Sequence, residues 1–367
     1  MKYPISIAFL FLSLAGRTQS VHWLANLDKV TIRLSDENLR VHQNVFAHFR
    51  VIDQRPDTTR IGIHTYVPTF GWNHTKQLIL RHSASAELED YLNRHFSRPG
   101  SPYTALIILR DLWLSDANYL REDMIKDPGK IHVRTHIRLK VEIYATKDSL
   151  FMPILRYDTI QVYKQDNRYT GISYYASWDH NLAGILNDMA DSAGQLTLYK
   201  DGHGRRVSFG DIRNFNHSRF VAPIGVAATL TPGVYTSFEE FRNNAPSIHD
   251  FEIRKEHKQR VLYIKEPGGK TYYSHDAWGY CDGKVIFVMR DGILCPAWRE
   301  GNAFYFLGLA DRDVIVPPGF IGLGRPSVPD PNGDQAYSPS GYTTEGQAMD
   351  VKIHGIFTID MDTGDVY

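Results

Sequence analysis

A stretch of fifteen residues in which apolar and polar side chains alternate constrains this sequence more than any other feature. Within residues 131–145, every second position is apolar apart from Thr135, and the positions between carry histidine, arginine, lysine, glutamate or tyrosine. A period of two predicts a long β-strand with one buried face. Lys147-Asp148-Ser149 predicts a turn after it, and the apolar stretch 154–163 predicts a returning strand. This hairpin indicates an antiparallel sheet.

The remainder of the chain predicts an α+β fold. Apolar residues recur at helical spacing in 83–96 and again in 178–193, which predicts two helices. Beyond residue 230, short apolar stretches separated by glycine turns predict antiparallel strands. We therefore predict four segments, listed here in chain order. They are a signal peptide (1–20), a mixed α/β N-terminal domain (21–166), a helical connector (167–230) and a β-rich C-terminal domain (231–367).

The first twenty residues have the pattern of a secretory signal peptide. Lys2 precedes an apolar run of ten residues, Ile5–Leu14, and small residues follow at Gly16, Thr18 and Ser20. The run is shorter than the roughly 20 apolar residues that span a bilayer. We expect export to the periplasm or outside the cell and no integral membrane span after cleavage. An uncleaved anchor is the alternative.

The charge balance of the chain excludes one class of partner. Lysine and arginine total 41, aspartate and glutamate also total 41, and the formal net charge is zero. Nucleic-acid-binding domains carry a clear excess of basic residues, because they neutralise phosphates. We therefore expect no nucleic acid among the partners.

The chain has two cysteines, Cys281 and Cys295. Export permits a disulfide between them. The hairpin signals Asp282-Gly283 and Asp291-Gly292 instead place the two thiols several residues apart along the sheet. A disulfide requires Cα atoms within about 7 Å. This spacing favours buried free thiols.

Two parts of the chain carry family resemblances. Residues 233–306 resemble a domain found in uncharacterised exported proteins of Bacteroidota, which implies export and brings no activity with it. The residues that carry this resemblance are Gly233-Val234-Tyr235, Phe238-Glu239-Glu240-Phe241, Asn243-Asn244-Ala245-Pro246-Ser247, Ala277-Trp278-Gly279-Tyr280-Cys281-Asp282-Gly283 and Gly301-Asn302-Ala303-Phe304-Tyr305-Phe306. The segment from Asp53 to Gly62, with Arg55-Pro56-Asp57-Thr58 and Arg60-Ile61, more weakly resembles small periplasmic envelope proteins of mixed α/β fold.

Motifs for cofactors, metals and catalysis are incomplete in this sequence. Gly269-Lys270-Thr271 lacks the earlier glycine of a phosphate-binding loop, since Ile264 stands there. Asp330–Asp334 has alternating oxygen ligands but lacks the glycine and glutamate of a calcium loop. His-Glu-x-x-His, Cys-x-x-Cys and Gly-x-Ser-x-Gly are missing too. We therefore predict no cofactor and no metal site, and we assign no catalytic residue.

Aromatic residues are the remaining lead to a ligand. They crowd the predicted C-terminal strands, and Tyr272, Tyr273, Trp278 and Tyr280 form the densest group. Aromatic faces on a sheet stack on sugars or grip a partner strand, so we predict ligand binding by these four residues. Core packing and cross-strand pairing are the competing interpretation, because aromatic residues are enriched in all strands.

These observations lead to three functional hypotheses. The first is an exported, non-catalytic binding or structural component of the cell envelope, with an envelope protein or a polysaccharide as partner. The second is a hydrolase acting on an extracellular polymer, which a deep cleft with a carboxylate pair would favour. The third is a calcium-dependent module built on Asp330–Asp334.

Overall fold

A computed structural model describes most of the chain. The described residues are 27–34, 36, 44–66, 74–116, 132–166, 173–200, 205–256, 259–266, 268–290, 292–316 and 347–367. The predicted signal peptide and the calcium hypothesis at Asp330–Asp334 lie outside these residues.

Seven strands form a mixed N-terminal sheet in the order β1-β4-β3-β5-β6-β7, with β2 paired to β5. The predicted hairpin is confirmed, because β6 and β7 pair antiparallel from His132 opposite Asp166 to Thr146 opposite Phe151. The strands β1, β2 and β3 run parallel to their neighbours β4, β5 and β5. The strands are β1 (Lys29–Ile32), β2 (Phe46–Asp53), β3 (Gly62–Tyr66), β4 (His74–Leu80), β5 (Tyr103–Ser115), β6 (His132–Thr146) and β7 (Phe151–Asp166).

Two helices cover one face of this sheet. Helix α1 (Ala84–Phe96) begins after Ser83, whose side chain accepts a hydrogen bond from the Ala86 amide and caps the helix. Helix α2 (Ser173–Lys200) extends the predicted helix by about a turn or more at each end. Both helices bury apolar side chains, such as Leu92 and Trp178, against the apolar face of β5 and β6. Burial of this face stabilises the N-terminal part of the fold.

The C-terminal part contains two antiparallel sheets. One has the order β16-β15-β14-β13-β12-β8, and the other is β11-β10-β9. The α+β class with a β-rich C-terminal region is therefore confirmed. The elements are α3 (Phe209–Phe220), α4 (Pro223–Val226), β8 (Gly233–Tyr235), α5 (Phe238–Arg242), β9 (Phe251–Glu256), β10 (Gln259–Lys265), β11 (Thr271–Tyr273), β12 (Gly279–Cys281), β13 (Ile286–Arg290), β14 (Ile293–Glu300), β15 (Ala303–Val316) and β16 (Gln347–Thr358).

Each part has its own apolar core. The N-terminal core extends from β1 to α2, and the C-terminal core is built around Phe241 and Phe304. A small third cluster joins the two parts, with Trp113 of β5 packed against Tyr305 of β15. The predicted boundaries at residues 166 and 230 stay predictions. Among the described helices, none has the length and hydropathy that crossing a membrane requires.

Both cysteines are buried thiols, and no disulfide joins them. Cys281 lies opposite Ile286 and Cys295 lies opposite Val288, so strand β13 separates the two thiols.

The polar face of β6 is buried, whereas the sequence predicts only one buried face, the apolar one. Alternation predicts one buried face, yet Arg138, Lys140 and Glu142 on the opposite face are only 4%, 6% and 6% exposed. The C-terminal sheet lies against this face, with Asp360 of the segment after β16 paired to Lys140. The expectation of a single buried face is wrong, because a second layer covers the charged side chains. This layer supplies the counter-charge of Lys140, whereas Arg138 and Glu142 lie beside Asp111 and Arg110 of the neighbouring strand β5.

Candidate functional site

A cavity of about 680 Å³ lies between the two parts of the protein. This volume falls within the range of small-molecule pockets. Strands β5 and β6 supply one wall, the start of β15 and the turn after β16 supply a second, and helix α3 supplies a third. The cavity thus lies where the N-terminal sheet, the C-terminal sheet and helix α3 meet.

A β-bulge in β5 supplies two of its charged residues. Leu109 pairs with Val141 and Asp111 pairs with Lys140, so Arg110 is the extra residue of the bulge. Leu109 and Leu112 both remain in the N-terminal core, while Arg110 and Asp111 both line the cavity. Bulges re-aim side chains in this way and are frequent beside functional sites.

Ion pairs connect the two walls. Lys140 of β6 pairs with Asp360 and lies 3.3 Å from the Asp362 carboxylate. Arg110 Nη2 donates to Asp362 Oδ2 at 2.6 Å. On the N-terminal wall itself, Arg138 Nε lies 2.6 Å from Asp111 Oδ2. Each carboxylate at this end of the cavity therefore has a cation beside it.

The cavity shifts the pKa values of its ionisable groups in different directions. Burial raises the pKa of the Asp111 carboxyl, although Arg138 opposes the shift. Burial also opposes ionisation of Asp360, but Arg138 and Lys140 outweigh it and lower the pKa of Asp360. Burial lowers the pKa of Arg110 more than the Asp362 carboxylate raises it, and the positive charge of the neighbouring Arg156 lowers it further. These are the effects expected of charges removed from water.

The other end of the cavity is built from the segment with the periplasmic-protein resemblance. Arg55 donates to Asp53 and to the Arg60 carbonyl. Arg60 Nη2 donates to Glu300 at 2.8 Å, across to the C-terminal sheet. Tyr305 donates to Asp57 at 2.6 Å, and burial raises the pKa of this tyrosine. The segment thus connects the N-terminal part to the C-terminal sheet through the contacts of Arg60 and Asp57.

Several buried polar atoms that line the cavity have no hydrogen-bond partner in the described part of the protein. They are Nε and Nη1 of Arg110, Nη1 of Arg138 and both amide atoms of Asn216. Arg110 is 6% exposed and Asn216 is 2% exposed. Buried polar groups without partners are costly, so a bound molecule that reached these atoms would gain hydrogen bonds with them. Most of them are donors, which favours a ligand rich in acceptor oxygens.

Among side chains that can act as nucleophiles, the described lining of the cavity contains Thr358, Lys140 and aspartates. Its described lining contains no serine, histidine or cysteine. In the same described ranges, no group of three or more histidine, cysteine, aspartate or glutamate side chains is arranged to hold a metal ion. The cavity therefore offers hydrogen-bond donors to a ligand, and its carboxylates are paired with cations.

The four aromatic residues predicted to bind a ligand lie on two different sheets. Tyr272 is 45% exposed on β11, and Tyr273 beside it contacts His275. Trp278 stacks on Phe241 with ring centres 4.2 Å apart, and Tyr280 is buried against Phe287. The structure does not gather the four on one surface. Ligand binding by this set stays a prediction, whereas packing accounts for Trp278 and Tyr280.

One signal in the sequence points to the cavity residues. Residues 105–109 and 112–114 of β5 are all apolar, and the adjacent charges Arg110-Asp111 stand between them. Adjacent residues of a regular strand point to opposite faces, so two neighbouring charges within an apolar strand indicate a local irregularity such as a bulge. No comparable signal marks Asp360, Asp362 or Asn216, because the cavity unites distant segments.

Comparison with known proteins adds little to this description. No family model matches the chain, and no curated protein matches it. Among solved structures, protein XCC0632 from Xanthomonas campestris, described by the family model DUF330, is similar at 13% identity with a TM-score of 0.29. That similarity covers 47% of this chain and 98% of the Xanthomonas protein.

Proposed function

We propose that this protein is an exported, non-catalytic binding component of the cell envelope, and that it takes its ligand into the cavity between the two sheets. The observation that carries the proposal is the lining of this cavity. Its carboxylates are held by Lys140, Arg110 and Arg138, while buried donors of Arg110 and Asn216 have no protein partner among the described residues. A cavity that has hydrogen bonds left to make, and carboxylates already paired with cations, is suited to hold a molecule.

Export rests on the sequence of the first twenty residues, with Lys2 ahead of the apolar run Ile5–Leu14. The resemblance of residues 233–306 to exported proteins of Bacteroidota supports the same location. A polysaccharide or another envelope component is then the class of molecule available to the cavity.

Filling the mouth of the cavity tests the proposal. Asn214 is exposed on α3 and lines the cavity, so Asn214→Trp adds bulk there without disturbing the core. We expect the wild-type chain, purified from the periplasmic fraction, to show a bound small molecule in native mass spectrometry. The Asn214→Trp protein should lose this extra mass, and the Asn214→Ala protein should keep it. Equal occupancy of the two variants, or a wild-type protein without any bound mass, would contradict the proposal.

A hydrolase is the second candidate, because the cavity pushes two carboxyl pKa values apart. Burial raises that of Asp111, whereas Arg138 and Lys140 lower that of Asp360 against burial. Acid and base roles in carboxylate hydrolases are divided in this way. This alternative predicts release of reducing ends from envelope polysaccharide, and a loss on the order of 10²-fold or more in Asp111→Asn. Under the binding proposal, the wild-type protein releases none.

A further inference from the structure

Three arginines surround Phe220 at the end of helix α3, and a fourth, Arg213, lies on the same helix. The guanidinium carbons of Arg110, Arg219 and Arg156 lie 3.0, 5.1 and 5.8 Å from the centre of the Phe220 ring. Arg213 lines the same cavity as Phe220. We call these four residues the arginine cluster. Like charges close to one another repel, and an anion bound among them relieves this repulsion.

Protein carboxylates balance only part of this charge. Arg156 pairs with Asp158 at 2.6 Å, and one nitrogen of Arg110 pairs with Asp362. Arg213 and Arg219 are exposed, and neither forms an ion pair with another described residue. The cluster therefore keeps two cations without a carboxylate beside them.

The buried side of the cluster carries N–H groups without a hydrogen-bond partner among the described residues. Arg110 Nη1 lies 3.8 Å from Glu142, which is beyond hydrogen-bond distance, and its Nε is also without a partner in the described part. Asn216 stands between Arg213 and Phe220 at spacings i, i+3 and i+7, so the three share one face of α3. The buried Asn216 amide, the buried Arg110 guanidinium and the unpaired cation of Arg213 thus line the cavity together, and the unpaired Arg219 lies beside Phe220 of the same lining.

We infer that this end of the cavity binds a phosphate group carried by the ligand. The inference rests on the binding role proposed above and names the chemistry of the ligand. A phosphate monoester carries a charge of about −1.5 to −2 and three strong acceptor oxygens. It matches two unpaired cations and several free N–H groups better than a single carboxylate does, and arginine binds phosphate oxygens in pairs.

Titration calorimetry with the full mature chain tests the inference. The probes are inorganic phosphate, glycerol 3-phosphate and acetate, and the variants are Arg213→Gln and Arg219→Gln. Both side chains are exposed, so the fold is expected to persist. Arg81→Gln is the matched control, because Arg81 is an exposed arginine at the end of β4 and does not line the cavity.

We expect phosphate to bind to the wild-type protein. Each cluster variant should weaken the affinity for phosphate about tenfold or more, since a charge-assisted hydrogen bond contributes that much. The control should bind like the wild type.

The outcomes separate this inference from the proposed function. Tighter binding of glycerol 3-phosphate than of inorganic phosphate would support a phosphorylated organic ligand, and equal binding would support free phosphate. Acetate binding as tightly as phosphate, or equal losses in Arg81→Gln and Arg213→Gln, would overturn the inference. If phosphate fails to bind while Asn214→Trp still removes a bound mass, the cavity binds a ligand of different chemistry. If neither result appears, the proposed function fails as well.

Discussion

Replacing Lys140 with methionine is expected to lower the free energy of unfolding by about 3 kcal/mol, at the lower end of the range for broken buried ion pairs. Lys140 is 6% exposed and Asp360 is 5% exposed, and they pair between the two sheets. The variant leaves the Asp360 carboxylate buried without its nearest cation. Arg138 and the Asp362 amide remain near it, which keeps the loss from being larger. Urea denaturation at neutral pH measures the effect.

Lys265→Met is the matched control for this prediction. Lys265 pairs with Asp250 at 3.4 Å, with 40% and 74% of the two side chains exposed. Pairs of this kind contribute about 0–1 kcal/mol. A double variant, Lys140→Met with Asp360→Leu, should recover much of the lost stability because no charge is left unpaired. Equal costs for Lys140→Met and Lys265→Met would show that the inter-sheet pair is not the source of stability.

The cost of Lys140→Met should depend on pH. Arg138 and Lys140 lower the folded-state pKa of Asp360 despite burial. A lowered pKa stabilises the protein above the unfolded value of about 3.9, and this contribution is lost as the pH falls through the folded-state pKa. The difference between wild type and variant should therefore shrink as the pH falls below about 4 towards the lowered folded-state pKa of Asp360, where the folded wild-type protein takes up the proton as well.

Replacing Phe241 with alanine is expected to cost about 3–5 kcal/mol, the range for removal of a buried aromatic ring. Phe241 is fully buried, stacks on Trp278 and contacts Tyr235 and Phe304 edge to face. Alanine leaves a cavity that this rigid set of rings cannot close. Urea denaturation monitored by tryptophan fluorescence would show the loss, since Trp278 lies against the deleted ring.

Tyr272→Ala is the control variant for Phe241→Ala. Tyr272 is 45% exposed and belongs to the same predicted group of aromatic ligand-binding residues as Trp278. Its removal should change the free energy of unfolding by less than about 0.5 kcal/mol, as surface substitutions usually do. A small loss for Phe241→Ala would mean that the C-terminal core tolerates a void, and the packing interpretation of Trp278 would then be wrong.

Local patterns predict a large share of this fold. Alternation in β6, helical spacing in α1 and the glycine turns of the C-terminal strands each depend on nearby residues alone, and each element is present. Boundaries are less well predicted, because α2 begins before and ends after its apolar repeat, where packing against β6 and β7 sustains it.

The sequence by itself determined the strand and helix periodicities and the α+β class, because neighbouring side chains carry that information. Tertiary structure alone decided that the charged face of β6 is buried and that Arg110, Asp360 and Asn216 border one cavity. The physical reason is that ion pairing across two sheets compensates the burial of charge, and the partners in those pairs lie more than 200 residues apart in the chain.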